Sequence, residues 1–131
     1  MINNNFEKKL KSKEFVFTAE TSPPDSTVRS EITDRVLCLK DLADAINVTD
    51  GASAKSHLSS LVVSSIIKDI EIEPILQLTT RDRNRIAIQS DLLGAWTLNI
   101  QNILCIYGDQ VETGDQPETK EVRDLDTLGV I

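Results

Sequence analysis

Short apolar runs alternate with amphipathic stretches along this chain, and the alternation repeats. Strand-like segments begin near Phe15, Ala45, Ile75 and Asn102. That spacing is roughly thirty residues, which is what one strand–helix–strand unit needs. Residues 15–20 are aromatic and β-branched, as a buried strand prefers. Pro23 and Pro24 stop that strand, and Asp25 or Ser26 can cap the helix that follows. Val28, Ile32, Val36 and Leu39 recur at helical spacing and predict one apolar stripe. The second unit reads as a strand at 45–49, a turn at Asp50 and Gly51, and a helix with Leu58, Leu61, Val62, Ser65 and Ile66 on one face. The third opens as a strand from Pro74, crosses a polar turn and becomes a helix, capped by Asp82 and packed through Ile86, Ser90 and Leu93. The fourth strand, 103–106, is apolar without alternation, the pattern of a strand covered on both faces. Residues 110–120 read as a long loop, and 121–128 are too short to assign. Residues 1–14 form an N-terminal extension, either a short helix over the bottom of the fold or a loose segment.

This order predicts an α/β domain of parallel βα units, either an open sheet or about half of a TIM (β/α)8 barrel, whose complete form needs about 250 residues. The strands end in polar residues: Glu20, then Thr49 and Asp50, then Gln77, then Gly108 and Asp109. In a parallel sheet those ends share one rim, where such folds place their chemistry.

The 131 residues suit one domain with a modest core. A net charge of −7 argues against nucleic-acid and anionic-membrane partners. Cys38 and Cys105 lie in apolar runs and are expected to be buried free thiols of a reducing compartment. No charged-then-apolar leader is recognisable and no apolar run approaches the ~18 residues of a membrane span, so a cytoplasmic soluble protein is expected. His57 is the only histidine, with no cysteine or carboxylate cluster beside it, so no metal site is expected.

Glu20 reads either as a solvent-facing carboxylate paired with Arg81 or Arg83, or as a general acid on a partly apolar rim; composition alone favours the first. Gly108-Asp109 and Thr49-Asp50-Gly51 are compatible with plain turn chemistry. Arg81, Arg83 and Arg85 crowd a helix start, where the macrodipole already presents positive charge. A bound phosphate or carboxylates from the neighbouring rim would relieve that cost, unless solvent does so. No Walker loop, dinucleotide fingerprint or nucleophile elbow is present. The residues alone describe a polar rim suited to an anionic or heterocyclic ligand.

Five segments in order, TAETSPP at 18–24, NVTD at 47–50, LQLTTRDRNR at 76–85, QSDLLGA at 89–95 and NILCIYGD at 102–109, resemble methylenetetrahydrofolate reductase. The resemblance runs from about Phe15 to Asp126. It implies a TIM-barrel flavoprotein that converts 5,10-methylenetetrahydrofolate to 5-methyltetrahydrofolate, with FAD reduced by NADH, NADPH or another donor. Glu20 matches the family's general acid, and Asp109 the aspartate that tunes flavin and pterin. Thr49 and Gln77 fall at strand ends that contact FAD, Gln77 standing where some members carry histidine. Tyr107, Gly108, Arg123 and Asp124 align with further flavin-contacting positions, although Tyr107 and Arg123 differ from the residues expected there.

A complete reductase barrel has eight βα units, and four are recognisable here, so residues 15–131 are expected to be a partial (βα)4 domain from the N-terminal half. Such a half exposes strand edges and is expected to form a homo-oligomer or to need a complementing second-half chain. The alternative to a folate-reducing enzyme is a non-catalytic half-barrel that binds flavin or folate, or a partner chain.

Overall fold

The computed structural model describes residues 5–131, so residues 1–4 of the extension lie outside the described residues. Four strands, β1 (Thr18–Thr21), β2 (Ala45–Val48), β3 (Pro74–Thr79) and β4 (Asn102–Ile106), form one parallel sheet in sequential order. Between them run α2 (Arg29–Leu37), α3 (Ser60–Asp69) and α4 (Arg85–Thr97). They are preceded by α1 (Asn5–Ser12) and followed by the short α5 (Thr127–Val130). This is the α/β arrangement expected, four βα units in the order of half a (β/α)8 barrel.

Strand alternation divides the sheet into two unlike faces. Ala19, Ile46, Val48, Leu76 and Ile103 point to the face on which the helices pack. Ile46 and Val48 meet Ile32 and Val36 of α2 and Val63, Ile66 and Ile67 of α3. Leu76 meets Ala95 of α4 and Ile100. Burying each such aliphatic side chain contributes about 1.5–3 kcal/mol, so this one layer carries most of the stability. The opposite face carries the register partners Glu20, Asn47, Ile75 and Asn102, with Gln77 beside Leu104. There Leu104 is 43% exposed.

Several local expectations are corrected. Strand β1 begins only at Thr18, and Phe15 and Phe17 are exposed. Asp44 holds Phe17 instead, accepting from its N–H and donating its own N–H to the Phe17 carbonyl. Neither Asp25 nor Ser26 is the cap of α2; the cap position is Val28, whose N–H donates to Ser26 Oγ. Val28 is therefore exposed, while Ile32 and Val36 are buried as expected. In α3 the buried face is Ser60, Val63, Ser64, Ile66 and Ile67, and Val62 points outward. The cap of α4 is Asn84, not Asp82: Asn84 Oδ1 accepts from the N–H groups of Ile86 and Ala87. In α4 it is Ile88 and Ala95 that go inward, and the expected packing residues Ile86, Ser90 and Leu93 face out.

None of the residues of β4 is fully buried, because it has one neighbouring strand. Cys38 is exposed and Cys105 half-buried; both are free thiols. Helix α1 takes the first of the two states expected for the extension. It lies at the strands' N-terminal end, where Lys9 pairs with Asp44. Among the described residues no helix is long and apolar enough to cross a membrane.

Candidate active site at the strand ends

Because the four strands run the same way, their C-terminal ends share one rim. Glu20 and Gln77 come from β1 and β3 and meet across β2. Gln77 Nε2 donates to Glu20 Oε2 at 3.3 Å. Gln77 is buried and Glu20 exposed, so the amide is a fixed donor and the carboxyl faces outward. Asn47, the β2 residue between them, donates Nδ2 to the Ala19 carbonyl at 3.4 Å.

Thr49 follows β2 and extends the ladder, its N–H donating to the Thr21 carbonyl at 3.1 Å. It is 7% exposed, and among the described residues its Oγ1 has no hydrogen-bond partner. A buried hydroxyl left unpaired costs about 1–3 kcal/mol, which a polar ligand atom would relieve. This orphaned oxygen, with a fixed amide and an outward-facing carboxyl on the same rim, fits a heterocyclic cofactor with donors and acceptors along its edge.

At the end of β4, Gly108 has φ +87°, and a Cβ there would lie 2.2 Å from Thr79 Oγ1. Glycine is required for both reasons. Thr79 Oγ1 donates to the Tyr107 carbonyl at 3.2 Å. Asp109 Oδ2 accepts the N–H of Ser53 at 2.7 Å, which ties this turn to the loop after β2. The Arg123 guanidinium stacks 3.7 Å from the Tyr107 ring centre and donates Nη1 to the Tyr107 carbonyl. Glu121 also binds Arg123, and the hydrogen bond between these two side chains is the main cause that raises the arginine and lowers the carboxyl from their ordinary pKa values.

Asp124 stands apart at the start of α4. It accepts from Arg85 through Nε at 2.8 Å, Nη2 at 3.0 Å and the backbone N–H at 3.0 Å. The hydrogen bond from the Arg85 side chain is the largest influence, and it brings the Asp124 pKa down to about 2. The structure therefore forms a Glu20–Gln77 pair and a Tyr107–Arg123 pair on the rim, with Asp124 engaged elsewhere.

Carboxylates meet all three crowded arginines, one of the solutions expected. Arg81 binds Asp82 through Nε and Nη2, both at 2.7 Å. Arg81 Nη1 also donates to the carbonyls of Gly51 and Asp109, at 3.3 Å each. Arg83 joins Asp50 at 2.6 Å and Asp91 at 2.8 Å. Burial opposes the Arg83 charge most, yet Asp50 and Asp91 together outweigh it and hold the pKa above its ordinary value. Asp50, a rim residue whose sequence setting is compatible with plain turn chemistry, is instead the buried partner of Arg83. The signal was indirect: arginines at a helix start need a nearby acid, and Asp50 ends the adjacent strand.

A cleft of about 880 Å³ lies at the opposite end of the sheet. Its cations are already paired, Lys9 with Asp44, Lys40 with Glu71 and Lys68 with Glu73, so it reads as scaffold. At the rim, a groove of about 250 Å³ runs between the loop after β2 and the turn before α4. Among the described residues no group of His, Cys, Asp or Glu side chains could hold a metal ion.

A sequence model of the family described as methylenetetrahydrofolate reductase matches residues 5–128, nearly the whole chain. No curated protein matches it.

Proposed function

The chain belongs to the methylenetetrahydrofolate reductase family, and we propose that its strand-end rim takes FAD and a folate and reduces 5,10-methylenetetrahydrofolate to 5-methyltetrahydrofolate. The family is one of oxidoreductases acting on folate one-carbon units, and its members generally bind FAD. The observation that carries the finer reading is the Glu20–Gln77 hydrogen bond on the face left open by α2, α3 and α4, with the unpartnered Thr49 hydroxyl on the adjoining strand.

In this reading Thr49 and Gln77 hold the edge of the flavin ring, and Gly108 lets the backbone approach it. FAD, when bound, supplies the hydride. Glu20 delivers a proton to a bridging nitrogen of the folate, opening its five-membered ring to the electrophile that accepts reduction. The Gln77 amide donates to Glu20 Oε2, which leaves Oε1 to carry that proton. Asp109 places a negative charge beside the flavin and pterin, with its orientation fixed by Ser53 N–H. Tyr107 and Arg123 form the outer wall; Asp124 contributes at a distance by holding the start of α4 through Arg85. NADH or NADPH is the electron donor, and the setting is the cytoplasm.

The test is anaerobic. The full chain is titrated with FAD, reduced with NADH or NADPH, and then mixed with 5,10-methylenetetrahydrofolate. Flavin bleaching by the nucleotide and its recovery on adding folate are expected; a chain that takes up no FAD ends this reading.

A second reading is favoured by the sheet itself. Strands β1 and β4 each have one neighbour, and Leu104 on the open face is exposed. A half-barrel with these features would act as a flavin- or folate-binding module completed by a second chain. Activity that appears only on adding that chain would select it.

A further inference from the structure

We propose that Asp50 is a positioning residue whose buried carboxylate sets Thr49 and Gln77 at the flavin edge; the inference rests on the FAD-binding reading above. Asp50 is 8% exposed, and its two oxygens accept four hydrogen bonds from three other parts of the fold. Oδ2 accepts Thr79 N–H at 2.9 Å and Arg83 Nη1 at 2.6 Å. Oδ1 accepts Ser60 Oγ at 3.1 Å and Arg83 Nη2 at 3.3 Å. The end of β2, the end of β3, the first residue of α3 and the turn before α4 are thereby fixed to one another.

Two of these ties act directly on the rim. Thr49 is the residue before Asp50, so the carboxylate's anchoring sets the backbone from which the unpartnered hydroxyl projects. Thr79 is two residues after Gln77, and Ser60 Oγ also lies 3.3 Å from the Gln77 carbonyl. The single Ser60 proton is shared between Asp50 and the Gln77 carbonyl, so Ser60 couples the two, while Thr79 N–H ties down the strand beyond Gln77. Only an ionised carboxylate offers enough lone pairs for all four donors. An asparagine would supply one acceptor oxygen and turn an NH2 group toward donors. Arg83 is itself shared with Asp91 through Nε at 2.8 Å, a tie that touches neither Thr49 nor Gln77. That difference separates positioning from mere stability.

The experiment compares full-chain wild type with D50N, S60A and D91N. Each is titrated with FAD, following flavin fluorescence and the visible absorption band, and its thermal midpoint is measured. D50N is expected to weaken FAD binding by at least about tenfold and to shift the bound-flavin band. S60A follows in the same direction with a smaller loss. D91N lowers the thermal midpoint yet keeps FAD affinity within about twofold, because Asp50 retains its four donors. D50N binding FAD as wild type does would overturn the proposal. So would affinity losses that simply track the thermal midpoints across the variants. If D50N does not fold, S60A decides between the same two results. Wild-type protein that takes up no FAD removes the proposed function and this inference together, whereas wild-type uptake with unaltered D50N and S60A removes this inference alone.

Discussion

Gln77 reaches across β2 to hydrogen-bond Glu20, its Nε2 lying 3.3 Å from Oε2. The pair joins strands that are not neighbours, and the amide belongs to the buried partner. A fixed donor on one oxygen biases which oxygen of Glu20 can carry a proton. If Glu20 is the acid of the reaction, E20Q keeps the shape and removes the proton. Turnover is then expected to fall by roughly 10²–10⁴-fold while flavin uptake persists. Steady-state kcat beside a flavin titration checks this; an unaltered kcat would take Glu20 out of the chemistry.

The Arg83–Asp50 pair is expected to matter more for stability than any other ion pair on this rim. Both side chains are largely buried, at 19% and 8% exposure. Removing the guanidinium leaves a carboxylate inside with its charge uncompensated, which typically costs about 3–5 kcal/mol. R83M should therefore shift a urea unfolding midpoint strongly downward. R85M, at a pair where the arginine is 60% exposed, should barely move it. Equal shifts in the two variants would mean that burial does not distinguish the pairs.

The strand order and the rim were legible because both follow from coarse pattern: four short apolar runs, evenly spaced, each ending in a polar residue. Helix faces were less legible. In α4 nearly every position from Ile86 to Trp96 is apolar or small, so periodicity alone does not choose the buried stripe. Asn84 rather than Asp82 takes the cap, because Asp82 is engaged by Arg81. Choosing between an acid and an amide turns on which ion pair forms, and the helical pattern does not show that. The same holds for Asp50, whose role is set by Arg83 from 33 positions away. Phe15 shows the converse error, since aromatic and β-branched character predicted a strand where no neighbouring strand extends far enough to pair.

Acid should loosen the segment after β4 at its Arg85 anchor. The folded-state pKa of Asp124 is lowered from 3.8 to about 2 by Arg85. A depressed carboxylate contributes its stabilisation fully above the unfolded pKa and loses it as pH falls through the folded one. The tie is thus intact at neutral pH and released between about pH 4 and pH 2. An NMR titration of the Asp124 carboxyl carbon should show a midpoint near the lower end of that window. A midpoint at the ordinary carboxylate value would mean that Arg85 does not hold it in solution.

Gly108 should tolerate no side chain. Its φ of +87° is strained for any L residue, and a Cβ would fall 2.2 Å from Thr79 Oγ1. G108A must move either the turn or Thr79, which is tied to the Tyr107 carbonyl. A destabilisation of about 1–3 kcal/mol is expected, with weakened flavin uptake because Asp109 follows directly. Thermal unfolding and FAD titration of G108A check it. A variant with wild-type values in both would show that the turn has room to rearrange.

The outer face of α4 should drive association. Ile86, Leu93 and Trp96 are 74%, 71% and 69% exposed, and their spacing of seven and then three places them on one side of the helix. Apolar surface gathered in this way favours contact with another chain, and β4, which has one neighbouring strand, lies beside it. Replacing Leu93 and Trp96 by lysine removes that surface without touching the buried Ile88 and Ala95. Stability should change by less than about 0.5 kcal/mol per site, as for surface positions generally. Sedimentation of the wild-type chain should rise with concentration, and L93K/W96K should sediment as a monomer over the same range. Association that persists in the double variant would place the contact elsewhere, on the strand edges or the open face of the sheet.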